Sequence, residues 1–303
     1  MNKNNLVSII MNCHNGDKYL KEAINSIIKQ SYKNWELIFF DNASNDNSAK
    51  IVKKYNDKRI KYYYSKYVNL GIARKEALEK CRGNFIAFLD CDDFWAKNKL
   101  KLQVRDLIKN PDIALSFSNS YFFNKKNKKL LYQNKPYDGY IFEELLKRYY
   151  ISFDTVLINT FYLKKLKQGF DERLTITHDL DLIIRLSKIG KFKYIDKPLS
   201  WWRIHNNSFS QNKMNIVNRE KNIFLIKLKK ILIKHKNKKR LIKYFQENLK
   251  NSMIEQYLIE KDIMNFIKLT FNSSKNYYRN FFLFFLLIMP FGIFIYKKLK
   301  KSW

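Results

Sequence analysis

Glycine and proline are scarce in this chain, at 7 and 4 of 303 residues. So few chain breaks exclude a flexible linker of any length. Cysteine is scarcer still. Cys13, Cys81 and Cys91 are odd in number and show no CxxC spacing, which argues against a disulfide framework and a cysteine-based zinc site. A reducing compartment suits them. Also lacking is a long apolar lead segment. Met1-Asn2-Lys3 is soon followed by a six-residue apolar stretch, residues 6–11, too short for a signal-peptide core. The expectation is a protein that stays in the cytoplasm or on the inner face of its membrane.

Acidic residues are the last shortage, 27 Asp and Glu against 59 Lys and Arg, a formal net charge of +32. The excess is uneven. Residues 1–110 carry 21 basic and 12 acidic side chains, and residues 213–303 carry 21 basic and 5 acidic. Such an excess favours a polyanionic partner, nucleic acid or an anionic membrane surface; a Lys-biased solvated surface is the plainer reading. No RRM, helix-turn-helix or zinc-finger pattern is present, so nucleic acid is not the expected partner. Residues 281–296 form a sixteen-residue stretch without charge, containing Pro290 and Gly292 and followed by Lys297, Lys298, Lys300 and Lys301. A spanning helix needs about 20 apolar residues. An interfacial anchor with lysines on anionic headgroups fits better, beside the alternative of a buried helix.

What is present, with hydrophobic residues at 46% and aromatics at 16%, is enough for a substantial core. In the first 110 residues strand and helix patterns alternate. Residues 6–11, 35–40, 60–64 and 85–89 read as strands. Leu20, Ala23, Ile24, Ile27 and Ile28 make an i, i+3, i+4, i+7, i+8 helical stripe. Ser44 and Asn45 offer N-caps for a helix through Tyr55, and residues 71–81 form another. This alternation predicts a mostly parallel sheet covered by helices, with ligands bound beyond the carboxyl ends of its strands. Asn12, Cys13, His14 and Asn15, then Asp41, then Asp90, Cys91, Asp92 and Asp93 follow three of those ends. Later, residues 114–123 read as a strand, 142–150 and 178–188 as helices, and 193–195 and 199–204 as two short strands. From Lys213 the chain is basic and helical.

Asp90, Asp92 and Asp93 repel one another and need a counter-charge. A hard cation would supply it, Mg²⁺ or Mn²⁺ with carboxylate and phosphate oxygens; alternatively they cap a helix beginning near Lys97.

Four blocks in order resemble the family 2 glycosyltransferases, which adopt the GT-A fold: Val7-Ser8-Ile9-Ile10-Met11-Asn12-Cys13-His14-Asn15, Asp41-Asn42-Ala43-Ser44-Asn45-Asp46, Asn69-Leu70-Gly71-Ile72-Ala73-Arg74 and Gly83-Asn84-Phe85-Ile86-Ala87-Phe88-Leu89-Asp90-Cys91-Asp92-Asp93. The resemblance covers roughly residues 6–210. It implies a nucleotide-sugar site in which Asp41 accepts a hydrogen bond from a uracil-type base, whose imide N–H is a donor. Asn12, His14 and Asn15 shape the base pocket, Arg74 reaches the ribose–phosphate region, Asp90 contacts ribose or metal, and Asp92 binds a divalent metal, Mn²⁺ or Mg²⁺. His14 stands where the family usually has Tyr, Asn42 where it has a second Asp, and Lys75 where it often has Asn.

In Thr177-His178-Asp179-Leu180-Asp181-Leu182, Asp179 resembles the family's general base, with His178 in place of the usual Glu and Asp181 as the rival base. An in-line displacement assisted by one base inverts the anomeric carbon. Helix capping is the structural alternative for both carboxylates. His205, after Trp201, Trp202 and Arg203, resembles a late Arg-x-His element that touches metal or diphosphate. Of the two tryptophans, alternation on a strand faces one inward and one outward. The expected organisation is a GT-A domain over residues 1–212, with a nucleotide-sugar half 1–110 and an acceptor half 111–212, then a basic helical extension over 213–303. The expected function is an inverting, metal-dependent glycosyltransferase that moves a sugar, from a UDP-sugar for choice, to a glycan or lipid-linked acceptor in cell-surface polysaccharide or lipopolysaccharide synthesis, peripheral to the cytoplasmic membrane. Two other classes fit less well. A nucleic-acid-binding protein leaves the strand-end carboxylates unexplained. A sugar-nucleotide nucleotidyltransferase needs a Gly-rich, Arg-containing loop after the first strand, and Asn12-Cys13-His14-Asn15-Gly16-Asp17 has one Gly and no Arg.

Overall fold

The computed structural model describes residues 5–205, 213–260 and 265. The chain divides into two compact units, Met1–Ser210 and Gln211–Trp303.

In the first unit β1 (Val7–Cys13), β2 (Trp35–Asn42), β3 (Ile60–Ser65) and β4 (Phe85–Phe88) pair in parallel in the order β3-β2-β1-β4. β1 and β2 are buried on both faces, as continuous apolar runs in a covered sheet must be. α1 (Asp17–Ile28) buries Leu20, Ala23, Ile24 and Ile27 against this sheet. Each large member of that stripe contributes about 1.5–3 kcal/mol on burial. α3 (Leu70–Glu79) begins at an Asn69 cap whose side chain accepts the Ile72 N–H. The helix expected from Ser44 or Asn45 is shorter: α2 spans Ser48–Lys53. Asp46 accepts the Ser48 N–H at 2.9 Å, while the Ser44 hydroxyl and the Asn45 amide turn back to Asn15.

Beyond β4 the sheet becomes mixed. β5 (Phe94–Trp95), α4 (Lys99–Lys109), β6 (Ile113–Phe123), β7 (Lys128–Leu130), α5 (Phe142–Lys147), β8 (Leu157–Asn159), α6 (Thr160–Lys165), α7 (His178–Ser187) and β9 (Lys191–Arg203) follow, and the sheet continues β4-β8-β6-β9-β5 with β7 on β6. β8 runs antiparallel to both β4 and β6, and β9 runs parallel to β6. The two short strands expected over 193–204 are one, because Asp196 and Lys197 bulge between the Ile195–Ser118 and Pro198–Asn119 pairs. A bulge absorbs the extra residues that sequence patterning reads as a break. α5 stops at Lys147, three residues before the expected end.

The second unit holds α8 (Met214–Ile231) and α9 (Lys238–Glu260). Phe224, Leu228, Leu232, Leu241 and Phe245 are buried, with Phe224 and Phe245 rings 5.2 Å apart. Among the described residues no helix is long and apolar enough to cross a membrane. The apolar stretch 281–296 lies outside the described residues.

Candidate active site

Parallel register brings the three polar strand ends together. Cys13 pairs with Asp41, Ile10 pairs with Phe88, and the Leu89 amide donates to the Ile10 carbonyl at 3.1 Å, so the loop from Asp90 starts beside the end of β1.

The loop after β1 turns through Asn15 in the left-handed region (φ 56°), and the loop after β2 turns through Ala43 (φ 59°). Asn tolerates that conformation and Ala less so. Two hydrogen bonds knit the loops: the Asn15 N–H donates to Ser44 Oγ and the Asn45 N–H to Asn15 Oδ1. His14 donates from Nδ1 to the Asn42 carbonyl at 2.8 Å, which leaves Nε2 as an acceptor, and its ring meets Tyr67 edge-on. Asn12 differs from its neighbours: both atoms of its side-chain amide are buried without a partner. A buried amide left unmatched is costly, so this group is poised for a ligand or an ordered water.

Asp41 is 0% exposed and accepts from Tyr62 Oη at 2.6 Å and from the Ser44 N–H at 2.8 Å. Burial, with this carboxylate beside it, pushes the Tyr62 phenol upward. Asn42 donates to the Val68 carbonyl and accepts the Val68 N–H. That two-way bond needs an amide; a carboxylate has no donor to give.

Arg74, 4% exposed, donates to Asp90 Oδ1 at 2.8 Å, and its guanidinium lies over the Phe153 ring at 4.8 Å. Desolvation by the surrounding protein raises the Asp90 carboxyl although half of its side chain is exposed, Asp92 and Asp154 adding to the rise and Arg74 opposing it. Asp93 is buried, accepts the Arg203 N–H at 2.8 Å, and is held well above the usual carboxylate range by burial first and then by Asp92, Asp154 and Asp90. Asp92 meets His205, with Nε2 2.9 Å from Oδ2. Arg203 fastens this corner by donating to the Asp92 carbonyl at 2.8 Å and to Glu22, while its guanidinium stacks 4.2 Å over Tyr19. Trp201 stacks on Phe94, whereas Trp202 is 37% exposed, the inward and outward pair that alternation requires.

Asp179 lies in the first turn of α7 and accepts from Tyr149 Oη at 3.2 Å. Burial raises its carboxyl, with the Leu180 amide, Arg74 and Tyr149 pulling the other way. Asp181 is elsewhere: it is 0% exposed and accepts from Arg185 Nε at 3.0 Å and Nη2 at 2.6 Å. A carboxylate buried under a guanidinium can neither reach a substrate nor take its proton, so the rival-base reading of Asp181 gives way to a structural one. His178 donates from Nδ1 to the Thr175 carbonyl at 3.1 Å and is held neutral by burial and by Arg74, with Nε2 buried and unpartnered.

The link between the two groups of carboxylates is Gly71. A Cβ there would stand 2.8 Å from the Asp171 carbonyl and closer still to that of Leu174. α3 thus packs its backbone onto residues 171–174, and Asn69 Nδ2 and Lys75 bind Glu172. The same segment leads into α7, so these contacts carry α3, and Arg74 on it, toward the start of α7.

Sequence reading missed Tyr149 and Asp154. Asp154 is buried and accepts from Ser120 at 3.3 Å and from Ser152 and Ser200, and its charge adds to the repulsion on Asp90 and Asp93. Neither residue sits in a motif; only folding gives them neighbours.

Among the described residues no group of three or more His, Cys, Asp or Glu side chains is placed to hold a metal ion by itself. Asp92 and His205 are a carboxylate and an imidazole at contact distance, a donor set that Mn²⁺ or Mg²⁺ accepts when phosphate and water complete the shell. Asp90, the third residue expected on the metal, is directed to Arg74.

A family model described as "Glycosyl transferase family 2" matches residues 8–170. An uncharacterized glycosyltransferase of Methanocaldococcus jannaschii is 36% identical over 66% of this chain and 71% of its own length. The UDP-Glc:alpha-D-GlcNAc-diphosphoundecaprenol beta-1,3-glucosyltransferase WfgD of Escherichia coli is 32% identical over 71% of this chain and 83% of its own. In three dimensions the chain is similar to residues 1–349 of S. aureus TarS in complex with UDP-GlcNAc, at a TM-score of 0.69 and 18% identity, over 87% of this chain and 79% of that one.

Proposed function

Starting from the family to which this chain belongs, glycosyl transferase family 2, we propose that it is an inverting enzyme that takes a sugar from a UDP-sugar and passes it to a glycan or lipid-linked acceptor in cell-surface polysaccharide synthesis. The chain is a glycosyltransferase with a GT-A fold. The observation that carries the finer reading is the position of Arg74. It is hydrogen-bonded to Asp90 and lies over the Phe153 ring, which meets the ring of His178 beside Asp179; this supports one crevice for the donor-side and base-side carboxylates.

In this reading the orphaned Asn12 amide, with His14 and Asn15, receives the uracil edge. Asp41, fully buried, holds the loop that closes on it through the Ser44 N–H. Arg74 and Asp90 position the ribose and diphosphate. A divalent cation, Mn²⁺ or Mg²⁺, held by Asp92 and His205 with Asp90 behind them, would supply Lewis-acid neutralisation of the departing diphosphate. Asp179 takes the proton of the acceptor hydroxyl as that oxygen attacks the anomeric carbon from the face opposite the leaving group. Its raised carboxyl pKa is suited to the task, since a base works best when its pKa approaches the working pH. Tyr149 steadies the carboxylate through its hydroxyl.

WfgD is named for a diphosphoundecaprenol-linked acceptor, which supports a lipid-linked acceptor here. The organisation that accompanies this is a catalytic domain over 1–212 and a basic extension over 213–303 that meets an anionic membrane surface from the cytoplasmic side. The charge excess of that extension, 21 basic against 5 acidic residues, supports it. Co-sedimentation of the whole protein with phosphatidylglycerol vesicles, lost at high salt, is the expected result; equal pelleting with neutral vesicles counts against it.

The deciding experiment is a screen of UDP-, GDP- and dTDP-sugars for binding and hydrolysis, with and without Mn²⁺. UDP-sugar turnover that requires the metal and is lost in Asp179→Asn is expected. Metal-independent turnover overturns the role given to the cation, and a preference for another base overturns the donor assignment.

A further inference from the structure

Cys13 and Cys91 take no part in the transfer derived above, yet the fold sets them face to face. Cys13 closes β1 between Asn12 and His14, and Cys91 lies between Asp90 and Asp92. Cys13 Sγ is 3.5 Å from Ser48 Oγ. Gly16 makes room for both: a Cβ there would stand 2.5 Å from Cys91 Sγ and 2.8 Å from Cys13 Sγ. The two sulfurs thus converge on one point, and no side chain at position 16 separates them. Both are free thiols, with Cys13 buried and Cys91 half-buried at the crevice. The third cysteine, Cys81, is bonded to the Ala77 carbonyl within its own helical turn.

We propose that Cys13 and Cys91 form a dithiol modification site that a peroxide closes to a disulfide, shutting the donor crevice. One sulfur attacks the peroxide O–O bond, becoming a sulfenic acid and releasing one water. The second sulfur displaces the new hydroxyl as another water, so that two thiols and one hydrogen peroxide give one disulfide and two waters. A disulfide holds its sulfurs about 2.05 Å apart, far closer than two unbonded thiols. Closure therefore draws the loop carrying Asn12 and His14 toward the loop carrying Asp90 and Asp92. A misplacement of about 1 Å in a reacting geometry costs about 10²-fold in rate. A reductant reverses it.

Only the loss of activity rests on the proposed function; formation of the bridge does not. The test treats the full-length reduced protein with one equivalent of hydrogen peroxide, then maps its peptides without reduction and assays UDP-sugar turnover. A Cys13–Cys91 linked peptide, an intact mass lower by two hydrogens, and turnover reduced tenfold or more and restored by dithiothreitol are expected. Cys81→Ser should respond like the unaltered protein. Cys13→Ser and Cys91→Ser should each keep the ratio of treated to untreated activity near one, whatever their own rates. Absence of the linked peptide overturns the site, and so does a bridge to Cys81. A bridge that leaves turnover unchanged overturns the shut-off. If the bridge forms in a protein that turns over no nucleotide sugar, the site stands and the functional reading falls.

Discussion

The two ends of the crevice are built differently. On the donor side, Asn12 and Asp41 end parallel strands and Asp90 lies just beyond another, and the backbone register leaves little choice of position. On the base side, Asp179 depends on side-chain contacts, with Tyr149 bonded to its carboxylate and α3 packed through Gly71 onto the segment before α7. A site set by a ladder of backbone hydrogen bonds tolerates substitution around it. One set by a few side chains does not. The same contrast appears in the two rival carboxylates: one helical turn holds both Asp179 and Asp181, and a single guanidinium, Arg185, removes the second from contention.

Three substitutions test the contrast. The largest effect belongs to the donor side. Asp92→Ala removes the partner of His205 without touching a backbone ladder, so turnover should fall by about 10²-fold or more with the melting temperature nearly unchanged. A large loss of melting temperature would mean that the loop, and not the register, holds this end together. Next comes Gly71→Ala, which forces a methyl group into two backbone carbonyls. A cost of about 1–3 kcal/mol is expected, read as a fall of about 2–4 °C in melting temperature per kcal/mol. Turnover should drop while UDP affinity is retained; equal loss of both would show the two ends to be coupled more tightly than the contrast allows. The smallest effect is that of Tyr149→Phe. Tyr149 donates to the ionised form of Asp179, so its loss raises that carboxyl further. The base must be ionised to act, and the acidic limb of the kcat/KM profile should move to higher pH. A loss of about two- to tenfold on that limb corresponds to one hydrogen bond, with the rate on the alkaline side little changed. An unmoved limb would assign the limb to another group.

A stability consequence has the opposite sign to the usual carboxylate case. Asp90, Asp93 and Asp179 all titrate above their ordinary values in the folded chain. Each favours the fold fully below its unfolded pKa, and that contribution is lost as pH rises through the folded value. The crevice therefore holds its charges at a cost in stability, which a bound cation would offset.

Much of this was legible beforehand because it depended on periodicity. The Leu20, Ala23, Ile24 and Ile27 stripe became α1, and the apolar runs ending at polar residues became β1, β2 and β4. The errors fell where local pattern and tertiary contact disagree. Ser44 and Asn45 look like helix caps, but they bond to Asn15 in the neighbouring loop. The Asp196-Lys197 bulge looks like a break between strands, yet β9 is continuous. β5 and β8, two and three residues long, carry too little pattern to be read.

By itself the sequence determined the alternation of strands and helices, the order of the motif blocks and hence which strand ends would carry chemistry, because side-chain period and chain polarity are local properties. Only the tertiary structure decided that Asp92 meets His205, that Asp179 and not Asp181 faces the crevice, and that Tyr149, Asp154 and the Cys13–Cys91 pair belong to it. Those contacts join residues far apart in the chain, and no local rule constrains them until the backbone has closed.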